Sequence, residues 1–145
     1  MALSSERAPP GLLLRTQLKQ DRDVRLFRRE LRHALDGTSP PPDKLDDFVL
    51  AVNEAVANVF RHAYRPEQEG GCQVVVTRLP DALVAVIEDD GDTFDAVRAH
   101  GVPPMGHPMG ESGRGFGIIR SLVDDFVCDV TDSGGGRMEL RLALH

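Results

Sequence analysis

Residues Leu45–Tyr64, LDDFVLAVNEAVANVFRHAY, decide how the rest of the chain is read. At helical period Leu45, Phe48, Val49, Val52, Val56 and Val59 fall on one stripe, with Ala63 a turn further on. Glu54 and Asn58 lie among them, four residues apart and therefore stacked one turn from each other. A carboxylate and an amide in so apolar a setting need partners, because burying them unpartnered costs a few kcal/mol. The stretch is expected to be an amphipathic helix capped by Asp43 and ended by Pro66, since the residue before a proline is pushed out of helical geometry.

Outward from this helix the pattern alternates between the two periods. Gly11–Leu18 reads as a first strand. Asp21–Leu35 reads as a helix with Val24, Phe27, Leu31 and Leu35 inward, Asp21 and Asp23 at its positive end and Gly37 where a C-terminal cap belongs. Its outer face carries Arg25, Arg28, Arg29 and Arg32, either a solvated face or a dock for an acidic protein partner. Downstream, Cys72–Leu79 and Leu83–Glu88 are rich in β-branched residues and joined by Pro80-Asp81-Ala82, which predicts an antiparallel hairpin inside the sheet. Asp89–Ser112 has no sustained period, and a stretch that long is a lid or an insert. Gly113–Asp125 begins glycine-rich and turns helical. Phe126–Thr131 is a strand, and Ser133–Gly136 turns the chain into Arg137–His145, whose strict alternation puts one face on the core.

The order strand, helix, helix, hairpin, lid, helix, hairpin predicts an α/β (α+β) two-layer sandwich. Its sheet should be mixed and largely antiparallel, with the helices on one face. Residues 1–10 are expected to be a loose tail and residues 11–145 one domain. The balance of 17 basic against 23 acidic residues argues against a general nucleic-acid binder. No apolar run reaches the ~18 residues of a membrane span, and MALSSERAPPG has no secretory core. A cytoplasmic chain follows, with Cys72 and Cys128 as reduced core thiols.

Three constellations have chemical potential, and each alone also fits a plain structural role. An amide oxygen at Asn58 suits Mg²⁺ beside phosphates, and a carboxylate one turn earlier, at Glu54, suits deprotonation of an attacking hydroxyl; the same pair fits a solvated helix face. Asp89-Asp90-Gly91 ends a strand: Asp89 can accept from an exocyclic amine and Gly91 lets a flat base approach, or the three residues simply form an acidic turn. Gly113-Arg114-Gly115-Phe116-Gly117 opens a helix with unobstructed amides, a phosphate cradle that is neither a Walker nor a Rossmann pattern.

In this order the three motifs resemble those of the GHKL ATPases, and most closely the stand-alone anti-sigma-factor serine/threonine kinases of the RsbW/SpoIIAB type. Asn53–Asn58 running to His62-Ala63-Tyr64 looks like that family's N box. Asp89-Asp90-Gly91 with Phe94-Asp95 looks like its first glycine box, and Gly113–Ile119 like its second. The resemblance covers almost the whole chain from Gly11.

The resemblance implies a Bergerat-type ATP-binding fold with ATP and Mg²⁺ as cofactors. Asn58 would hold the metal and Glu54 would act as the base. Asp89 would bind the adenine amine, with Gly91 giving the base room. Gly113, Arg114, Gly115, Phe116 and Gly117 would close on the phosphates, with His62 beside the site. The implied partners are a sigma factor, which the protein sequesters, and an anti-anti-sigma protein of the STAS type, which it phosphorylates on serine; a homodimer is compatible with the half-exposed last strand. Asp92-Thr93 stand where some relatives have a second glycine, and the lid carries prolines with His100 and His107. These departures bear on lid closure and turnover, so a nucleotide-gated binding switch without kinase activity is the second reading. Phosphotransfer to histidine is a third.

Overall fold

The computed structural model describes residues 11–63, 70–91, 116–132 and 134–144. β1 (Leu12–Leu18) leads through a 3-10 turn (Asp21–Asp23) into α1 (Val24–Ala34), and α2 (Pro42–Asn58) continues into a π-helical turn (Val59–Ala63). β2 (Cys72–Arg78) and β3 (Ala82–Asp89) follow, then α3 (Phe116–Leu122), β4 (Asp125–Val130) and β5 (Gly136–Ala143). The expected tail, residues 1–10, lies outside the described residues.

The strands form one sheet in the order β1-β2-β3-β5-β4. All four pairings are antiparallel, the limit of the largely antiparallel sheet expected from the two hairpins. β5 enters between β3 and β4, so its alternation is that of an interior strand with one open face: Met138, Leu140 and Leu142 are buried, whereas Arg137, Glu139 and Arg141 are half-exposed. The buried row continues through Val74 and Val76 of β2 and Leu83, Ala85 and Ile87 of β3. It packs with Phe27 and Leu31 of α1, Phe48, Val49, Val52 and Val56 of α2, and Phe116 and Ile119 of α3, making one core between sheet and helices. On the far face Arg137 pairs with Glu88 (3.4 Å) and Glu139 (3.1 Å), and Arg141 with Asp81 (3.1 Å).

Helix ends follow local chemistry. Asp23 Oδ2 accepts the backbone N–H groups of Lys19 (3.1 Å) and Gln20 (3.0 Å), anchoring the entry to α1. Gly37 takes a left-handed φ of 81°, and Thr38 donates to the Leu35 carbonyl through both its backbone N–H (3.1 Å) and its hydroxyl (2.6 Å). Asp43 does not cap α2. Pro41 is the N-cap and Pro42 the first helical residue, because proline's fixed φ suits a position whose N–H has no intrahelical partner, and Asp43 falls inside the first turn. The expected single helix to Pro66 is regular only to Asn58, after which the chain widens into the π turn.

Candidate functional site

Asn58 is the last residue of α2, the helix at the centre of the helical layer. Its side chain is 1% exposed, and neither Nδ2 nor Oδ1 has a hydrogen-bond partner among the described residues. Buried amides are normally satisfied, and each unmet group carries a desolvation cost of about 1–3 kcal/mol, so an amide with both ends unmet points to a ligand. The π turn starts at the next residue; such turns recur at functional sites because they break the regular spacing of a helix. Glu54, one turn earlier, is less enclosed at 28% side-chain exposure.

Asp89 ends β3 on the helix side, in phase with the buried Ala85 and Ile87. Its Oδ1 accepts the backbone N–H of Gly91 (2.8 Å) and of Gly136 at the start of β5 (3.2 Å). Oδ2 is buried with no partner among the described residues. One oxygen is thus fixed by the protein and the other is held ready, as an acceptor for an exocyclic amine should be. Burial pushes the Asp89 carboxyl up to about 6; the Gly136 and Gly91 hydrogen bonds oppose the rise and the neighbouring Asp90 adds to it. Cys72, paired with Asp89 across the β2–β3 ladder, is buried with its thiol pushed up to about 12, first by burial and then by the Asp89 charge. It is a packing residue, unreactive as a nucleophile. A cleft of about 230 Å³ at this end of the sheet is walled by Gln17, Gln73 and Glu88, register partners on the far face, so it opens across the sheet from the helices that carry Asn58 and Phe116.

α3 supplies the third part. It packs closely against α2, which brings Phe116 and Gly117 beside the helix that carries Glu54 and Asn58. Phe116 is buried and tilted against Phe126, with ring centroids 5.4 Å apart, which pins the start of the helix to β4. A Cβ on Gly117 would meet nothing within 4 Å among the described residues, so they leave space at this position of the helix start. Gly113, Arg114 and Gly115, with the lid histidines His100 and His107, lie outside the described residues. So does the side chain of His62.

The sequence did not single out the Gly134–Gly136 turn as part of the site. A Cβ on Gly135 would stand 1.8 Å from the Asp89 carbonyl oxygen, so only glycine lets this turn close on Asp89, and the Gly136 N–H then fixes its carboxylate. Three successive glycines before an alternating strand were the available signal. Arg61 was also passed over, and it is the described partner of Glu54.

The histidine kinase-like ATPase domain family matches residues 18–144. The chain belongs to that family. It is 31% identical over 109 residues to the serine-protein kinase RsbW of Staphylococcus epidermidis, a match covering 70% of this chain and 69% of that one. It is 24% identical over 107 residues to the anti-sigma F factor of Clostridium novyi, covering 72% and 75%. The RsbU and RsbW domains of a Mycobacterium tuberculosis protein share the fold, with a TM-score of 0.65 at 21% identity; that match covers 94% of this chain and 33% of the mycobacterial one. Within the histidine kinase-like ATPases the chain is an RsbW-like serine kinase, and the open antiparallel sheet with helices on one face is the family's fold.

Proposed function

We propose that the protein binds Mg²⁺–ATP, transfers the γ-phosphoryl group to a serine of an anti-anti-sigma protein of the STAS type, and sequesters a sigma factor when it is not so engaged. The observation that carries this reading is the set of buried polar atoms in two of the motifs that are unmet among the described residues: both amide atoms of Asn58 and Oδ2 of Asp89, with Oδ1 of Asn53 in the same helix. Their chemistry fits the groups they would meet, a hard cation for an amide oxygen and an amine hydrogen for a carboxylate oxygen.

Phosphoryl transfer needs chiefly positioning and charge neutralisation. Asp89 Oδ2 accepts the adenine amine and sets the depth of the base, with Gly91 giving it room. Asn58 Oδ1 ligates the metal. Bound Mg²⁺ supplies neutralisation of phosphate charge. Gly113, Arg114, Gly115 and Gly117 are the residues the family resemblance assigns to the phosphates, and Phe116 anchors the start of α3. Glu54 takes the proton from the serine hydroxyl as the bond from serine oxygen to phosphorus forms. The bond from phosphorus to the bridging oxygen breaks, and ADP leaves with that oxygen. The new phosphate adds roughly two negative charges to the antagonist and expels it.

The basic face of α1 suits the proteins that must dock. Arg25, Arg28 and Arg29 are exposed and make no ion pair among the described residues, whereas Arg32 pairs with Asp46 of α2 at 2.8 Å; Leu26, 60% exposed, lies among them. A chain of net charge −6 that keeps such a face open is suited to an acidic partner. Incubation with γ-labelled ATP and the cognate antagonist should label the antagonist on serine. Glu54→Ala should lower the rate at least 100-fold while leaving ATP affinity within about twofold. No labelling, or labelling indifferent to Glu54→Ala, contradicts the kinase reading, and nucleotide-dependent capture of a partner that survives Glu54→Ala would identify a switch.

A further inference from the structure

Glu54 is not a free carboxylate. Arg61, in the π turn and three residues beyond Asn58, places Nη2 at 3.4 Å from Glu54 Oε2. No basic residue lies in the last turn of α2, so Arg61 is the first positive charge the chain offers past Glu54 and Asn58. The last turn of α2 and the first residues of the π turn separate the two by on the order of 10 Å along the axis, a gap that two long side chains leaning toward each other close. The pair is open to water, with side-chain exposures of 52% for Arg61 and 28% for Glu54, and the contact is longer than the 2.7–2.9 Å of a strong charge-assisted bond. Such a pair contributes little to folding. It does restrict a carboxylate that would otherwise sample several rotamers, and it engages one oxygen while Oε1 makes no hydrogen bond among the described residues.

We infer that Arg61 is a positioning residue for Glu54: its guanidinium holds one carboxylate oxygen, turns the other toward the hydroxyl to be deprotonated, and offsets repulsion between that carboxylate and the phosphates held one turn away at Asn58. The inference rests on the reading of Glu54 as the base. It assigns the pair a role in the rate of transfer and none in nucleotide affinity, because Arg61 is directed at the carboxylate.

The test compares Arg61→Gln, Arg61→Lys, Glu54→Gln and the Arg61→Gln/Glu54→Gln double variant of the full chain. Three quantities are read: ADP production from Mg²⁺–ATP with the cognate antagonist present as acceptor, affinity for the non-hydrolysable analogue AMP-PNP, and the thermal midpoint. Arg61→Gln should lower kcat about tenfold with KM and AMP-PNP affinity within twofold and the midpoint unmoved, and Arg61→Lys should restore most of the rate. In the Glu54→Gln background Arg61→Gln should have no further effect, since a residue that acts through Glu54 has nothing left to position. A tenfold weaker AMP-PNP affinity with kcat intact would make Arg61 a phosphate contact and overturn the inference, as would an equal loss of rate in both backgrounds. If Glu54→Gln is slow and Arg61→Gln is not, the positioning role alone falls. If Glu54→Gln turns over like the wild type, or the wild type makes no ADP, the base falls and takes the positioning role with it.

Discussion

Asp89 illustrates how one side chain serves both fold and ligand. Burial pushes its carboxyl up to about 6 in the folded chain, from an ordinary value of 3.8. Between those values the folded state binds more protons than the unfolded one, so this group's contribution to stability falls as pH rises from about 4 to about 6 and is level above that. Nucleotide binding runs the other way, because the ionised oxygen is the better acceptor for the adenine amine. ADP affinity measured by calorimetry should therefore be constant from pH 8 to 7 and should weaken as pH falls below about 6. In Asp89→Asn the affinity should drop at least tenfold at pH 7.5 without loss of thermal stability, because the substitution removes a buried ionisation. Gly135 acts on the same carboxylate from behind. With its Cβ 1.8 Å from the Asp89 carbonyl oxygen, Gly135→Ala must displace the β4–β5 turn. The expected result is a chain destabilised by about 2 kcal/mol or more in denaturant titrations, with ADP affinity reduced alongside.

Among the elements, α2 was the most legible and the least regular. Its apolar stripe holds at the centre: Phe48, Val49, Val52, Val56 and Val59 are all fully buried, with Ala51 and Ala55 widening the face, while Leu45 is half-buried against them and the side chain of Ala63 lies outside the described residues. Its two ends were not legible, for different reasons. Asp43 looked like a cap by residue type, but two preceding prolines already fit the N-cap and first helical positions. The π turn after Asn58 carries no compositional mark, because a change from four- to five-residue hydrogen bonding is decided by packing. α1 was legible as a helix, and its arginines remain the clearest surface feature the fold does not explain. Arg25→Glu/Arg29→Glu should weaken capture of the protein partner at least tenfold, losing most of its salt dependence, while ATP affinity stays within twofold. Partner capture unaffected by the reversal would return that face to solvent.

At the scale of the molecule, two hairpins and three helix-period segments were enough to define a two-layer fold, because an antiparallel sheet with one apolar face has to be covered by the apolar stripes of its helices. What the sequence did not reveal was strand order. Nothing in Arg137–Ala143 says that β5 inserts between β3 and β4, and it is this insertion that delivers the Gly136 N–H to Asp89. The site was legible as motifs and not as contacts: Asn58, Asp89 and Phe116 lie in the expected elements, whereas the glycine turn and Arg61 became visible only as neighbours of residues already chosen. Central to the proposed function is that the buried amide of Asn58, unmet among the described residues, is a metal ligand for a bound nucleotide. The direct measurement is ATP affinity with Mg²⁺ and with EDTA, for the wild type and for Asn58→Ala. The wild type should bind at least tenfold more tightly with Mg²⁺, and Asn58→Ala should bind ATP equally weakly under both conditions. Equal ATP affinity for the two proteins in the presence of Mg²⁺ would contradict it.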